Sequence, residues 1–145
     1  MDLKLRSETL YEVETNNGVV SFDTTDIDFP ERIEKAFELF NNALEEFKSE
    51  EEVSDEEALA KIKKYVDDNY KGIDLIFGEG ASEKIFSHNG VIVRSVSTLE
   101  QFFEQFPKIL EDAGVKQQEY MQKRLSPENR EKYKPKDHLP KRKKL

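Results

Sequence analysis

The stretch FGEGASEKIF, residues 77–86, decides how the chain is organised, because two glycines interrupt a long helical pattern there. Gly78 follows the last apolar position of a helix directly, where a left-handed C-cap residue is typical. A short helical turn is predicted after Gly80, and it is expected to place Ile85 and Phe86 against the core. All four residues are therefore predicted to be structural, and the segment carries no reactive group of its own.

A long helix is predicted to lead into this stretch, from Asp55 to Phe77. Ser54 and Glu57 form a capping box at its start, and apolar residues recur along it at three- and four-residue spacing. Gly72 lies inside the pattern, where glycine costs about 1 kcal/mol against alanine, so it is expected to mark a kink and to tolerate alanine. The predicted apolar stripe is Leu59, Ile62, Val66, Tyr70, Ile73 and Phe77.

A shorter helix is predicted before it, beginning after Asp28, where Asp28 and Glu31 suit a capping box around Pro30. An acidic connector over residues 49–55 joins the two helices. The apolar positions of the first helix follow helical spacing and are assigned to the core. They are Ile33, Phe37, Phe40, Leu44 and Phe47.

Residues 9–25 alternate in polarity around Asn17-Gly18, which is typical of a β-hairpin closed by a two-residue primed turn. Closing the chain at these two residues pairs Val13 with Phe22. A lone hairpin is marginally stable, so its apolar face must pack on helices. That face is predicted to hold Tyr11, Val13, Val20 and Phe22.

After residue 86, a second Asn-Gly turn at residues 89–90 precedes an extended piece, Val91 to Val93, which leaves open a third strand beside the hairpin. Ser97 opens a capping box for a last helix, which Pro107 should kink and Gly114 can end. The apolar side of this helix holds Leu99, Phe102, Phe103, Phe106, Ile109, Leu110 and Ala113.

These elements predict an α+β fold, in which an N-terminal β-hairpin packs on a bundle of three or more helices. One domain is expected over residues 1–122, followed by a basic, mobile tail over residues 123–145. The net charge of −8 is unevenly divided, because the tail alone carries +7 and the rest of the chain −15. The last basic cluster is a candidate contact for an acidic partner surface, and it consists of Lys141, Arg142, Lys143 and Lys144.

The sequence contains no recognisable catalytic or metal-binding pattern. The chain has no cysteine, and neither of its two histidines has a partner at metal-ligand spacing. Gly78-Glu79-Gly80 follows a helix and not a strand, so it is no phosphate cradle. No enzyme, cofactor or metal is therefore expected. No apolar run is long enough to span a membrane and no leader pattern is present, so a cytoplasmic location is expected.

Residues 74–86, DLIFGEGASEKIF, follow an acidic α/β N-terminus and precede a phenylalanine-rich helix. In this arrangement the chain, over residues 7–113, resembles a small family of proteins encoded by tailed phages and prophages of Gram-positive bacteria. That family is similar to the tail assembly chaperones, whose gene position implies that they coat or sort the tape measure protein during tail building. The resemblance implies a host cytoplasm as the location and the tape measure protein or another tail component as the partner.

Three aromatic residues of the last helix are the candidate anchors for that partner. Phe102 and Phe103 are adjacent, so their side chains point about 100° apart and widen the apolar stripe beyond the needs of one core. Phe106 lies one turn later. Self-association would hide these rings until the partner arrives.

Two other functions fit the sequence. One is an acidic phage-encoded inhibitor that mimics nucleic acid, and the other is a structural adaptor in the virion. Nucleic acid itself is not an expected partner, because the acidic body repels phosphate.

Overall fold

The structure, a computed structural model, describes residues 2–5, 8–49 and 54–124. It has the predicted α+β fold, in which an N-terminal antiparallel β-hairpin is followed by helices. The predicted basic cluster at residues 141–144 lies outside the described residues. In chain order the elements are β1 (Leu10–Thr15), β2 (Gly18–Asp23), α1 (Phe29–Phe47), α2 (Asp55–Phe77), α3 (Ala81–Phe86), β3 (Ser87–His88), β4 (Val91–Ile92) and α4 (Val96–Arg124).

The N-terminal hairpin has the predicted inner face but a different register. Thr15 pairs with Gly18 and Val13 with Val20, so the strands are shifted by two residues from the predicted pairing. Side chains alternate with period two, so a shift of two leaves the same residues on each face. The turn residues are Asn16 and Asn17, neither of which has a positive φ, whereas Gly18 has a φ of 120°. The predicted primed turn is therefore wrong, because Gly18 flanks the turn and takes the positive φ there.

The second Asn-Gly pair does form a primed-type turn, since Asn89 has a φ of 51° and Gly90 a φ of 78°. Strand β4 folds back through it onto β3, and Ser87 pairs with Ile92. The two hairpins form separate two-stranded sheets, so the suggested third strand beside the N-terminal hairpin is wrong. The tight turn at Asn89-Gly90 pairs β4 with β3, which immediately precedes the turn.

Helix α1 begins where predicted, but the capping box at its start is wrong. Asp28 occupies the N-cap position without a side-chain cap hydrogen bond. Asp26 organises this end instead, since its carboxylate accepts from the Asp28 backbone N–H at 3.0 Å and from the Arg32 guanidinium at 2.6 Å. These contacts hold the pKa of Asp26 below its usual range.

Helices α1 and α2 pack closely, and the buried stripe of α1 is narrower than predicted. Phe40 is buried as expected, but two alanines, Ala36 and Ala43, share the buried face with it. Phe37 and Leu44 are exposed, contrary to their assignment to the core. Small residues face α2 because the two helix backbones approach closely there.

Helix α2 runs between the predicted residues, and Ser54 caps it by accepting from the Glu57 backbone N–H at 3.2 Å. Its stripe is buried only from Val66 onward, so the core assignment of Leu59 and Ile62, both exposed, is wrong. These two positions precede the part of α2 against which α4 packs, and no other helix covers them among the described residues.

The backbone conformations of the two glycines after α2 differ from the prediction. Gly78 has φ 106° and ψ 161°, which is extended backbone with a positive φ and not a left-handed helical cap. Its backbone N–H still donates to the Asp74 carbonyl oxygen at 2.8 Å. Gly80 is the left-handed residue, with φ 84° and ψ −1°, and precedes α3 directly. The predicted left-handed cap at Gly78 is therefore wrong, and the left-handed conformation belongs to Gly80.

Helix α4 is one continuous helix through Pro107, and it does not end at Gly114. It begins before Ser97, because the Ser95 hydroxyl accepts from the Thr98 backbone N–H at 3.1 Å and acts as the cap. The helix continues past Gly114, where the Lys116 ammonium donates to the Leu10 carbonyl oxygen at 2.6 Å. The core it completes includes Phe22, Phe29, Phe40, Val66, Tyr70, Ile73, Ile76, Phe86, Leu99, Phe102, Phe106 and Ala113.

Candidate functional site

A cleft of about 530 Å³ lies between the N-terminal hairpin, the second hairpin and α4. Its floor is apolar and is formed by residues from five elements, which are β1, β2, α2, α3 and α4. Polar side chains surround the mouth, among them Glu14, His88, Gln101 and Gln105. The floor residues are Val13, Val20, Phe77, Ile85, Phe86, Phe102 and Ile109.

The 77–86 stretch builds the inner end of this cleft. Two positive-φ glycines reverse the chain after α2, so that α3 folds back beside the helix it follows. The Asp74 carboxylate accepts from the Ser82 backbone N–H at 2.7 Å, which holds the first turn of α3 against the end of α2. Ile85 and Phe86 pack against the core, as predicted, and they also line the cleft.

The hairpin turn is attached to the other end of α3. The Asn17 side-chain amide donates to the carbonyl oxygens of Lys84 at 2.8 Å and of Ser87 at 2.7 Å. Lys84 lies in the last turn of α3 and Ser87 directly follows this helix, so neither carbonyl oxygen has a partner within the helix. Asn17 therefore fixes the position of the hairpin relative to the cleft floor.

Aromatic rings support the floor from below. Tyr70 stacks on Phe86 with ring centroids 4.5 Å apart, and its hydroxyl donates to the Val93 carbonyl oxygen. Phe102 contacts Phe86 at 6.0 Å and stacks on Phe106 at 5.2 Å. Burial raises the pKa of Tyr70, so the phenol stays neutral over the physiological range.

The three predicted anchor residues lie together but are not equivalent. Phe102 and Phe106 are buried in the core, so the argument that they provide apolar area beyond the needs of a core is wrong. Phe103 is half-buried, and it contacts Phe40 at 5.1 Å and Phe102 at 5.4 Å. Phe102 nevertheless reaches the cleft floor, whereas Phe103 and Phe106 do not line it.

The sequence reasoning missed the cleft because its two walls are more than 60 residues apart. One signal was present, since Gln101 and Gln105 lie four residues apart beside the phenylalanine stripe of α4. Only the tertiary structure places them with Val13 and Val20 around one cleft.

A second groove, of about 740 Å³, lies between β2, α1 and the end of α2. It is lined partly by charged side chains, including the Asp26–Arg32 ion pair, Lys71 and Glu79. The first cleft suits a ligand better, because it combines an apolar floor with a polar mouth.

Neither a metal cluster nor a spanning helix is found in the part of the chain that the structure describes. No group of three or more histidine or acidic side chains converges there to hold a metal ion. No helix of this part combines the length and apolar character that crossing a membrane requires.

The fold is that of a small α+β protein with an apolar cleft between its two hairpins and α4. The chain belongs to the family of unknown function DUF6673, whose family model matches residues 16–145. This match begins at the hairpin turn and includes the whole cleft except the β1 residues. No curated protein and no solved structure matches the chain.

Proposed function

We propose that this protein binds another phage protein in the manner of a tail assembly chaperone, with the tape measure protein or another tail component as its partner. The observation that carries the binding role is the apolar cleft with its polar mouth, which suits an apolar segment flanked by polar groups. The choice of partner rests on the resemblance of residues 74–86 to the phage family. The proposed setting is the cytoplasm of a bacterial host.

The partner segment would bury its apolar side chains against Phe77, Ile85 and Phe102. Its backbone or polar side chains would meet the amides of Gln101 and Gln105 at the mouth, which both donate and accept hydrogen bonds. Binding without catalysis is the proposed role, because the residues that carry the resemblance to the phage family include no catalytic group.

Nucleic-acid mimicry is less well supported, because the acidic faces are interrupted by paired cations. Lys64 contacts both Glu46 and Asp68 at 2.7 Å, and Lys108 contacts Asp112 at 3.1 Å. A mimic of the phosphate backbone needs acidic groups in regular, unneutralised rows.

Co-expression with the tape measure protein encoded in the same genome tests this proposal. We expect the two proteins to co-purify and the tape measure protein to become more soluble. Replacing a mouth residue with a large ring, Gln105→Trp, should obstruct the cleft and reduce co-purification. Glu104→Trp is the matched control, since Glu104 is exposed on the same helix and does not line the cleft.

If the wild-type protein and the tape measure protein neither co-purify nor change each other's solubility, the chaperone role should be abandoned. If they co-purify but Gln105→Trp behaves as Glu104→Trp does, the partner binds outside the cleft. Phe103→Ser would then test the half-buried anchor on the adjacent face of α4.

A further inference from the structure

The N-terminal hairpin borders the cleft with the free edge of β1. Four consecutive residues, Val13 to Asn16, line the cleft from this side, whereas β2 contributes Val20. Side chains alternate between the two faces of a strand, so consecutive residues border one cavity only where the edge of the strand is open to it. The cleft is therefore open to the backbone of β1 as well as to its side chains.

The backbone groups on this edge are available to a further strand. Thr15 closes the two-residue loop of the hairpin, and the residues that close such a loop are hydrogen-bonded across the ladder. Hydrogen-bonded pairs alternate along the ladder, so the N–H and C=O groups of Leu10, Glu12 and Glu14 point away from β2. The Leu10 carbonyl oxygen confirms this direction, because it accepts from the Lys116 ammonium of α4 at 2.6 Å. The outward groups of Glu12 and Glu14 make no hydrogen bond to any residue that the structure describes.

The apolar cover of the hairpin is also incomplete on this side. Val20 of β2 is buried, whereas Val13, its partner on β1, is half-buried and lines the cleft. A segment paired with the outer edge of β1 would place its inward side chains beside Val13, over the cleft floor. Such a segment would extend both the ladder and the core.

The charges beside the edge specify which kind of strand can pair there. Glu12 and Glu14 are exposed on the outer face of β1. Pairing β1 with the β1 strand of a second copy would set like charges opposite each other, which destabilises a sheet. A segment with one basic residue between two apolar residues avoids this, because it presents the opposite charge on the outer face and apolar groups on the inner face.

The first described residues of this chain have that pattern. Leu3 and Leu5 flank Lys4, and the two leucines are 83% and 87% exposed. Lys4 is exposed as well. The single chain therefore leaves both leucines without apolar cover.

We infer that the N-terminal segment, Leu3 to Leu5, of one copy pairs antiparallel with the free edge of β1 in a second copy and occupies its cleft. Lys4 lies opposite Glu14, and the two residues exchange backbone hydrogen bonds. Leu5 then lies opposite Val13, so both leucines point into the cleft. The Lys4 ammonium and the Glu14 carboxylate meet on the outer face.

A second copy provides the segment, because the same chain would present the wrong face of it. The chain turns at Glu8 and Thr9, directly before β1. Folding back through this turn would put Leu5 opposite Glu12 and direct the leucines to the acidic outer face. Thr9 is buried, and its hydroxyl donates to the Asp23 carboxylate at 2.6 Å, which holds this turn beside the end of β2.

The pairing closes on two copies. With Lys4 opposite Glu14, the antiparallel register is symmetric about residue 9, so exchange of segments in both directions uses the same pairs. Each copy then provides one segment and receives one, as in an isologous two-fold dimer. Neither β1 edge is left for a third copy.

This exchange would cover the cleft floor in the absence of the proposed partner, which would displace the segment when it binds. The inference concerns the chain alone and does not depend on the proposed function. A monomeric wild type that still co-purifies with the tape measure protein would reject the exchange and keep the chaperone role.

Sedimentation velocity of the full chain over a range of concentrations tests the exchange. The wild type should reach the mass of a dimer and not exceed it. Lys4→Glu should weaken dimerisation about tenfold or more, because each of the two symmetric charge pairs becomes repulsive. Lys63→Glu is the matched control, since it makes the same charge change at an exposed position of α2 that does not line the cleft.

Charge exchange identifies the two residues that pair. Glu14→Lys alone should weaken dimerisation as Lys4→Glu does. The double variant Lys4→Glu/Glu14→Lys has opposite charges at the pair again, so its affinity should return toward the wild-type value. Both positions are exposed in the single chain, and thermal unfolding of each variant checks that the fold is retained.

Amide hydrogen exchange reports the strand pairing itself. The Glu14 backbone N–H should exchange more slowly as the protein concentration rises, and this protection should disappear in Lys4→Glu. Four results would each overturn the inference: a monomeric wild type, an equal effect of Lys63→Glu, a double variant that dimerises no better than Lys4→Glu, or protection of Glu14 that is independent of concentration.

Discussion

A Cβ atom placed on Gly72 would lie 2.4 Å from Cε1 of Phe40, which is far inside contact distance. Phe40 cannot easily move away, because its ring contacts Phe37 at 6.0 Å and Phe103 at 5.1 Å. Glycine at this position is thus required by the close packing of α1 on α2. The expectation that alanine is tolerated there considered the helix alone, and the structure contradicts it.

Gly72→Ala should destabilise the protein by about 1–2 kcal/mol. Overpacking in a core costs about 1–3 kcal/mol, and the gain in helix propensity recovers at most about 1 kcal/mol. Gly114→Ala is the control, since Gly114 is also helical and a Cβ there meets nothing within 4 Å. Urea unfolding should show opposite signs for the two substitutions. Equal stabilisation by both substitutions would mean that the Phe40 ring can move aside to accommodate the added methyl group.

Gly78 and Gly80 should respond differently to asparagine. Gly80 is in the left-handed region, which asparagine tolerates, so Gly80→Asn should cost little. Gly78 combines φ 106° with ψ 161°, a region that essentially only glycine adopts, and Gly78→Asn should cost about 1–3 kcal/mol. Thermal unfolding of the two variants compares them directly, and similar losses would contradict the assignment.

Asn17→Asp should destabilise the junction between the hairpin and α3 by about 1–3 kcal/mol. The substitution removes the two donors to Lys84 and Ser87 and places a carboxylate beside their carbonyl oxygens. Asn16→Asp, in the same turn, makes the same charge change without removing these hydrogen bonds. Amide hydrogen exchange of residues 84–87 should accelerate in the first variant alone. Unchanged exchange in Asn17→Asp would show that the amide contacts do not hold the turn.

The free energy of unfolding should fall at alkaline pH, because the Tyr70 phenol ionises more easily in the unfolded chain. Burial raises its pKa in the folded protein above the value of about 10 that it has in the unfolded chain. The contribution of the Tyr70 phenol to the free energy of unfolding is fully present below pH about 10. It is lost as the pH rises through the folded pKa, because the phenol ionises first in the unfolded chain. Tyr11 and Tyr65 shift in the same direction.

Tyr70→Phe should therefore reduce, but not abolish, the loss of stability between pH 9 and about 11. At neutral pH it should also cost about 1 kcal/mol, since the Val93 carbonyl oxygen loses its donor. Urea unfolding across the pH range measures both effects. If the free energy of unfolding of Tyr70→Phe falls with pH as steeply as that of the wild type, the Tyr70 phenol is exposed to solvent.

Local signals in the sequence were sufficient for much of the secondary structure. The start of α2 was predictable because the Ser54 cap uses only residues three apart, and its end because Gly78 interrupts an apolar period. The faces of the N-terminal hairpin were predictable for the same reason, since alternation depends on neighbouring residues alone. The register was not, because a shift of two residues preserves that alternation.

The candidate site was only partly predictable. Of the three predicted anchors only Phe102 lines the cleft, and Ile85 and Phe86, which line it too, were predicted as core residues. The sequence contains no sign of the opposing hairpin wall, because no periodic pattern connects Val13 with Gln105. The basic cluster at residues 141–144 remains a prediction.

The sequence by itself determined which segments are helices, which residues alternate along the strands, and where glycine interrupts the chain, because these depend on contacts between residues close together in it. The tertiary structure decided which apolar residues are covered, why Gly72 is glycine, and where the cleft opens. These depend on how closely α1, α2 and α4 approach one another and where each ends. Leu59 and Val66 share one stripe of α2, yet only Val66 is buried, since α4 begins beside it.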